Sequence, residues 1–438
     1  MTENHTFRRG FAALVMFTLL AGDAWRYSIS WWGFGAIALA LTVTAVILLV
    51  HQRHRWNFGG LPYPLIAFMV LATVSIFWSH YPGATALGLT TTWMTVTVAL
   101  AVAITYSWQE LLAALGVALR LILGLSILFE LIVGLFVRMP VLPFWVDYGT
   151  TTGLPKLLYW SRNELFEVFD GGKIQGIVGN SSLLAFAAVL AVIVFGVQLA
   201  AGTVRRFWGM LWMLLAFATI ALTRSATITV ILVVVAVVVL AALLIRRAST
   251  PRGRVIVYWS FAGAVALSTT LAVMFSGQLL GLLGKSEDLT GRLGIWDKVI
   301  DLAGQQPVAG WGWVSWWVPW VSPFDDLVTR NGVLQLHAHN AWLDIWLQLG
   351  ILGLIVFGAL VLSTAFRAWS LATDRPQSVP GSPGPYSAVT VLPLLLLTAL
   401  LVQSLAESRL IVEYGMLLLV IIAVKTKAPG DRISHNHG

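Results

Sequence analysis

The feature that most constrains this chain is a train of apolar stretches recurring from residue 11 to residue 424, most of them long enough to cross a hydrocarbon core of about 30 Å. Twelve fall at 11–29, 31–50, 62–79, 84–105, 110–137, 177–200, 206–223, 225–245, 255–280, 339–366, 388–405 and 409–424. Hydrophobic residues make up 58% of the chain and charged residues 11%, against roughly a quarter charged in an ordinary soluble domain. No single water-facing fold buries that much apolar surface, so a soluble globular protein is excluded. The pattern predicts an all-α polytopic membrane protein of about 12 transmembrane helices, with residues 1–438 as one integral membrane domain. The boundary between the first two helices is set near Ser28 to Trp32, where Trp31 and Trp32 have the character of interfacial anchors.

The net charge of +8, from 27 Lys and Arg against 19 Asp and Glu, would suggest a nucleic-acid partner in a soluble protein. Mapped on the turns between stretches, it has another meaning. Arg53/Arg55, Arg205/Arg206, the group Arg246, Arg247, Arg252 and Arg254, Arg367/Arg375 and Lys425/Lys427 all fall on one side, which the charge rule makes cytoplasmic. Both termini are therefore expected inside, membrane lipids are the expected surroundings, and no nucleic acid is expected. Arg8-Arg9 before Phe11 imitates a secretory signal but lacks a small-residue cleavage site, so it is taken as an uncleaved first helix. The absence of cysteine from the sequence removes disulfides, thiolate metal sites and cysteine nucleophiles.

Two long connections, 138–176 and 281–338, face outward in this topology and hold most of the acidic residues. The second also carries Trp296, Trp311, Trp313, Trp316, Trp317 and Trp320 among Gly and Pro, with a helix expected at 291–303. Such a loop is expected to lie on the membrane surface, with its indoles at headgroup level. The segment 374–386, rich in proline, is a linker.

Polar residues at outer helix ends are the informative set, because a charge near a bilayer is paired, solvated or used. Arg224, in a very short turn between two apolar stretches, suits bidentate phosphate binding, with a snorkelling Arg as the alternative. Arg292 stands in the first turn of the 291–303 helix, where Thr290 is a candidate cap and the helix N-terminus favours anions; pairing with Glu287 or Asp288 is the alternative. His337 and His339 precede Asn340, and a single imidazole there is a candidate general base. A helix-capping polar cluster fits the same residues. No carboxylate stands at a spacing that completes a metal site with the two histidines, so no metal is expected. Arg162 and Lys173, with Gln175 and Asn180 at the entry to the next helix, offer charge and sugar contacts or are ordinary loop residues. Glu407 and Arg409 are expected to pair with each other, and Arg120 and Glu130 to be structural.

Four motifs, in this order and on one face, resemble the bacterial O-antigen ligase and polymerase family of inner-membrane glycosyltransferases: Thr223-Arg224-Ser225-Ala226; Gly291-Arg292 with Trp296; Pro307-Val308-Ala309-Gly310-Trp311-Gly312; and His339-Asn340 followed, nine residues on, by Gly350-Ile351-Leu352-Gly353. The last spacing is similar to the ligase signature in particular. The resemblance implies a GT-C-like architecture with a large periplasmic loop. It also implies transfer of a finished polysaccharide from an undecaprenyl-pyrophosphate-linked donor to a lipid A-core acceptor, with no cofactor. On that reading Arg224 and Arg292 stabilise the leaving pyrophosphate, His339 is the base and His337 its understudy, and Arg162, Lys173, Gln175, Asn180, Asn340 and Trp296 meet substrate. An O-antigen polymerase, a protein-directed oligosaccharyltransferase and a lipid-linked solute transporter are the rivals. Arg138 and Gly149 match one polymerase Arg-x10-Gly spacing, but Arg292 and Arg330 meet Ala303 and Ala341 at that distance.

Overall fold

A computed structural model describes residues 5–149, 153–248, 250–274, 292–330, 332–375, 377–379 and 382–427. Thirteen α-helices are found among them: α1 His5–Leu20, α2 Gly22–His51, α3 Tyr63–Val74, α4 Pro82–Thr105, α5 Trp108–Ile132, α6 Ser181–Ala200, α7 Arg206–Thr223, α8 Ala226–Arg247, α9 Pro251–Met274, α10 Arg292–Ala303, α11 Ala341–Thr373, α12 Leu392–Ser404 and α13 Glu413–Lys427. Two short antiparallel pairs complete the list: β1 Thr329–Arg330 with β2 Val333–Leu334, and β3 Gln377–Val379 with β4 Ser382–Pro383. Glu287, Asp288, Thr290 and Gly291 lie outside the described residues.

All twelve apolar stretches are mainly helical where described, and the chain is an all-α polytopic membrane protein. Seven helices among the described residues are long and apolar enough to span a membrane: α2, α4, α5 with its terminal turn, α6, α7, α8 and α11. Tyr63–Phe77 and Ala388–Ser404 are shorter. The expected 409–424 helix starts only at Glu413, because residues 408–411 form a 3-10 turn. The first boundary divides in two. The chain breaks at Ala21, and the expected site near Ser28 to Trp32 is instead a kink inside α2 at Ser30 (φ 75°).

α6 and α13 are buried along almost their whole length, which is where helices apolar on all sides belong. α4 packs against α13 and α12 against both, while α2 and α7 stay largely open to lipid. The basic turns gather at one end of the bundle. There Arg8 pairs with Glu110 (2.9 Å), Arg246 donates to Ala372 O (2.6 Å) and Thr390 Oγ1 (2.8 Å), Arg254 pairs with Asp374 (3.0 Å), and Lys425 donates to Tyr106 O (2.6 Å).

The opposite end is built by the segment 292–340 packing on α11. Ile295, Val299, Leu302 and Ala303 recur at helical spacing on α10 and are buried against a small core with Tyr81, Trp317, Phe324 and Leu347. Here the tryptophans depart from expectation. Trp313 and Trp317 are fully buried, Trp313 donating to Thr92 Oγ1 (3.0 Å), and Trp320 alone of the six is mostly exposed (73%). Their rings find more apolar contact inside the bundle end than at its surface.

The Pro307–Gly312 motif and the Gly350 motif form one device. α11 is broken at Gly350 (φ 64°, ψ −162°), a conformation open essentially to glycine only. The backbone groups freed by the break are taken up by the motif: Ile351 N–H donates to Pro307 O (2.9 Å), while Leu347 O and Gln348 O accept from Trp311 (2.9 Å) and Gly312 (2.9 Å). A broken helix at membrane depth needs such partners. A Cβ on Gly350 would stand 2.1 Å from Val308 O, whereas one on Gly358 meets nothing within 4 Å. Gly350→Ala is therefore expected to lower stability by about 3 kcal/mol or more, combining backbone strain with a clash. Thermal unfolding in detergent checks this, with Gly358→Ala expected to match the wild type.

Candidate active site

α10 grips two separate segments with residues one helical turn apart. Arg292 Nη2 pairs with Glu407 Oε1 (3.2 Å), and Trp296 Nε1 donates to Ala338 O (3.1 Å), the residue between the two histidines. Asn340 caps α11, its Oδ1 accepting from the N–H groups of Trp342 (3.0 Å) and Leu343 (3.3 Å). One turn into α11, the buried Asp344 accepts from Ala338 N–H (3.0 Å) and from the Ser408 hydroxyl. That single carboxylate ties the histidine segment to the α12–α13 turn, and so fixes where His339 stands relative to Glu407.

His339 lies between two acceptors. Its Nδ1 is 3.2 Å from Glu407 Oε2 and its Nε2 is 3.1 Å from Gln335 Oε1. Its backbone is left-handed (φ 52°), a strained state for a residue with a Cβ, and such states persist where the surroundings fix them. The His339 N–H donates to His337 Nδ1 (3.0 Å) and the two ring centroids lie 3.9 Å apart, with the planes tilted by 49°. On its other side the His337 ring meets Trp316 (4.5 Å), itself under the Arg409 guanidinium (4.9 Å). Burial, then the neighbouring His339, holds the His337 imidazole well below its ordinary value, so it is neutral. Burial would raise the Glu407 carboxyl, but His339 and the Arg292 guanidinium outweigh it and hold it at about 2. Glu407 is thus a fixed anion that can orient His339 and stabilise its protonated form, the logic of a carboxylate behind a catalytic histidine.

Glu407 is the residue that sequence reasoning misses. It does not pair with Arg409, which binds Glu413 instead, and Glu413 in turn binds Arg26. The expected pairing fails because the turn points the two side chains to different neighbours. The signal available was a carboxylate at the end of an apolar stretch, 115 residues from its Arg partner. Arg120 and Glu130 do serve structure: Arg120 binds Gln198 (2.6 Å), and Glu130 accepts from Gln175 N–H (2.9 Å), Gly176 N–H (2.8 Å) and Ser161 Oγ (2.8 Å).

His337, His339 and Glu407 bring one ligand atom each within 4.8 Å of one another, the donor set of a metal site. These residues do not fit a cation well. His337 Nδ1 is taken by a backbone N–H, Glu407 by a guanidinium, and a second guanidinium stands behind Trp316.

The remaining predicted residues make their contacts elsewhere. Arg224 ends α7 in a left-handed conformation (φ 49°), is exposed, and anchors one nitrogen on Val168 O. Arg162 donates to Lys156 O (3.0 Å), Lys173 is exposed, Gln175 binds Gly179 O (3.1 Å) and Asn180 caps α6. Arg292, Trp296, His337, His339 and Asn340 are brought together; Gln175 is tied to α5 through Glu130, and Asn180 caps α6.

Residues 209–358 match the family model described as Wzy_C, O-antigen ligase. That stretch holds Arg224, Arg292, Trp296, His337, His339 and Asn340, and Glu407 lies beyond it. A curated relative, the exopolysaccharide production protein ExoQ of Rhizobium meliloti (strain 1021), is 26% identical over 237 residues, or 53% of this chain and 46% of that protein. The match thus spans about half the length of the relative. Residues 209–358, about a third of the chain, are thus similar to that O-antigen ligase model, and the chain is a multi-pass membrane protein.

Proposed function

We propose that this protein is an inverting glycosyltransferase that ligates undecaprenyl-pyrophosphate-linked O-antigen polysaccharide onto lipid A-core oligosaccharide. The observation that carries the reading is the His339–Glu407–Arg292 arrangement, a histidine backed by an ionised carboxylate beside a guanidinium, at the tryptophan-rich end of a membrane bundle. The basic turns at the other end support an inner-membrane orientation with both termini cytoplasmic and the site periplasmic. His339 Nε2 takes the proton of the acceptor hydroxyl as the oxygen attacks the anomeric carbon from the face opposite the pyrophosphate. The new C–O bond forms as the bond to the pyrophosphate breaks, and the negative charge leaves with undecaprenyl pyrophosphate. Arg292 spends one of its five donors on Glu407 and Arg224 one on Val168, so both keep donors for the departing phosphates. Arg162 and Lys173 are assigned to the acceptor, as cations for its charged groups. No metal takes part: the pyrophosphate is an activated leaving group, and the arginines supply the positive charge a metal would bring.

The relative named for exopolysaccharide production favours a second reading, in which the acceptor is another lipid-linked chain and the product a longer polymer. Purified protein in nanodiscs, given undecaprenyl-pyrophosphate-linked O-antigen and lipid A-core, separates the two. New linkage to the core is expected, undiminished after exhaustive chelation. Longer lipid-linked chains without core linkage overturn the ligase reading in favour of the polymerase, and loss of transfer on chelation with rescue by a divalent cation overturns the metal-free one.

A further inference from the structure

Gln335 follows directly on the β1–β2 hairpin and touches the centre from the side opposite Glu407. Its position is well fixed: its N–H donates to Val328 O (2.8 Å), and the next residue, Leu336, accepts from Trp317 N–H (3.0 Å). Its side-chain amide is oriented as well. Nε2 donates to Val333 O (2.9 Å), so Oε1 is the end that faces His339 Nε2 at 3.1 Å. An imidazole carrying one proton satisfies one of its two acceptors, Glu407 or Gln335, not both. Whichever nitrogen carries the proton, the Gln335 carbonyl occupies the position from which a hydroxyl would reach Nε2, so the base is covered while the amide stays in place.

We infer that Gln335 is an acceptor-binding residue: its amide occupies, in the free protein, the seat at His339 Nε2 that the nucleophilic sugar hydroxyl takes, and then turns to hold the neighbouring hydroxyl of the same sugar. This rests on the reading of His339 as the base. A sugar presents vicinal hydroxyls, each donor and acceptor, and a primary amide offers one acceptor and two donors at matching reach. When the hydroxyl arrives, its proton points to Nε2, and the Gln335 carbonyl, displaced by one oxygen, lies beside the next hydroxyl. The sugar thus gains a hydrogen bond at each of the two hydroxyls. The cost of uncovering the base is met only by a ligand with a second hydroxyl beside the first, which selects for sugars over water.

Two measurements on the full chain in lipid nanodiscs test this. Diethyl pyrocarbonate acylates neutral imidazole, and fragment-resolved mass spectrometry separates His339 from His337 without any substrate. Gln335→Ala is expected to speed labelling of His339 about fivefold, the worth of one neutral hydrogen bond, while Gln335→Glu, which holds the ring as imidazolium, slows it. Equal labelling in all three proteins overturns the seat. In the transfer assay, with lipid A-core or undecaprenyl-pyrophosphate-linked O-antigen as acceptor, Gln335→Ala is expected to raise the acceptor KM about tenfold and leave the donor KM unchanged. An unchanged acceptor KM, or a rise in the donor KM, overturns the acceptor role. His339→Ala separates the two failures: transfer retained in that variant sinks the base reading, whereas its loss beside an unaltered Gln335→Ala sinks only the role of Gln335.

Discussion

His339→Ala is expected to lower polysaccharide transfer by about 10²–10⁴-fold, the range for losing a general base, with protein yield and thermal stability close to wild type. His337→Ala is expected to cost about tenfold, because His337 acts on its neighbour and not on substrate. Its Nδ1 accepts the His339 N–H at 3.0 Å and its ring packs against the same imidazole, so it holds His339 in its left-handed turn. Burial keeps His337 neutral and Glu407 is ionised far below neutral pH, so neither supplies an acidic limb to a transfer profile measured near pH 7. For stability the two act with the same sign. Each has a folded-state value below its unfolded one, so its contribution is complete at higher pH and lost on acidification: below 6.5 for His337, and from 4.5 toward about 2 for Glu407. The reverse ranking of the two alanine variants, His337→Ala inactive and His339→Ala active, would make His337 the base and His339 its support.

The helices were legible because membrane spans write themselves locally, as runs of apolar residues between basic turns. α10 was legible for a related reason, since Ile295, Val299 and Leu302 recur on one face within a polar loop. The break in α11 was not. Gly350 and Gly310 stand in two motifs, but nothing in the sequence joins those motifs until the chain folds back and the two backbones interlock, 40 residues apart. The site divided along the same line. Arg292 and His339 stood out as charges at outer helix ends, and motif order drew them together. Glu407, Asp344 and Gln335 gain their roles only through partners brought close by α10 and the turn at 404–412. Arg409 shows the cost of reading by proximity: two residues from Glu407, it belongs instead to the Glu413 and Arg26 network that fastens α13 to the kinked α2. Ion pairs of this buried kind fix register more than they add stability.

Glu407→Gln puts the whole arrangement to the strongest test, since it changes one charge and almost no volume. Three consequences are expected together. The amide leaves Arg292 without its buried counter-charge, it no longer stabilises an imidazolium at His339, and it can present either its oxygen or its nitrogen to Nδ1, so the tautomer is no longer fixed. By analogy with a carboxylate-to-amide change behind a catalytic histidine, kcat is expected to fall by about 10²–10⁴-fold. The donor KM separates this from general damage. Arg292 is released from its carboxylate, so binding of the pyrophosphate is expected to hold or tighten while turnover collapses, the signature of an interaction made in the transition state. Glu407→Asp keeps the charge but is one methylene shorter, and is expected to recover part of kcat. A Glu407→Gln protein whose kcat stays within about threefold of wild type would remove the carboxylate from the mechanism and leave His339 to act unassisted, because orientation by a charged partner is worth far more than that.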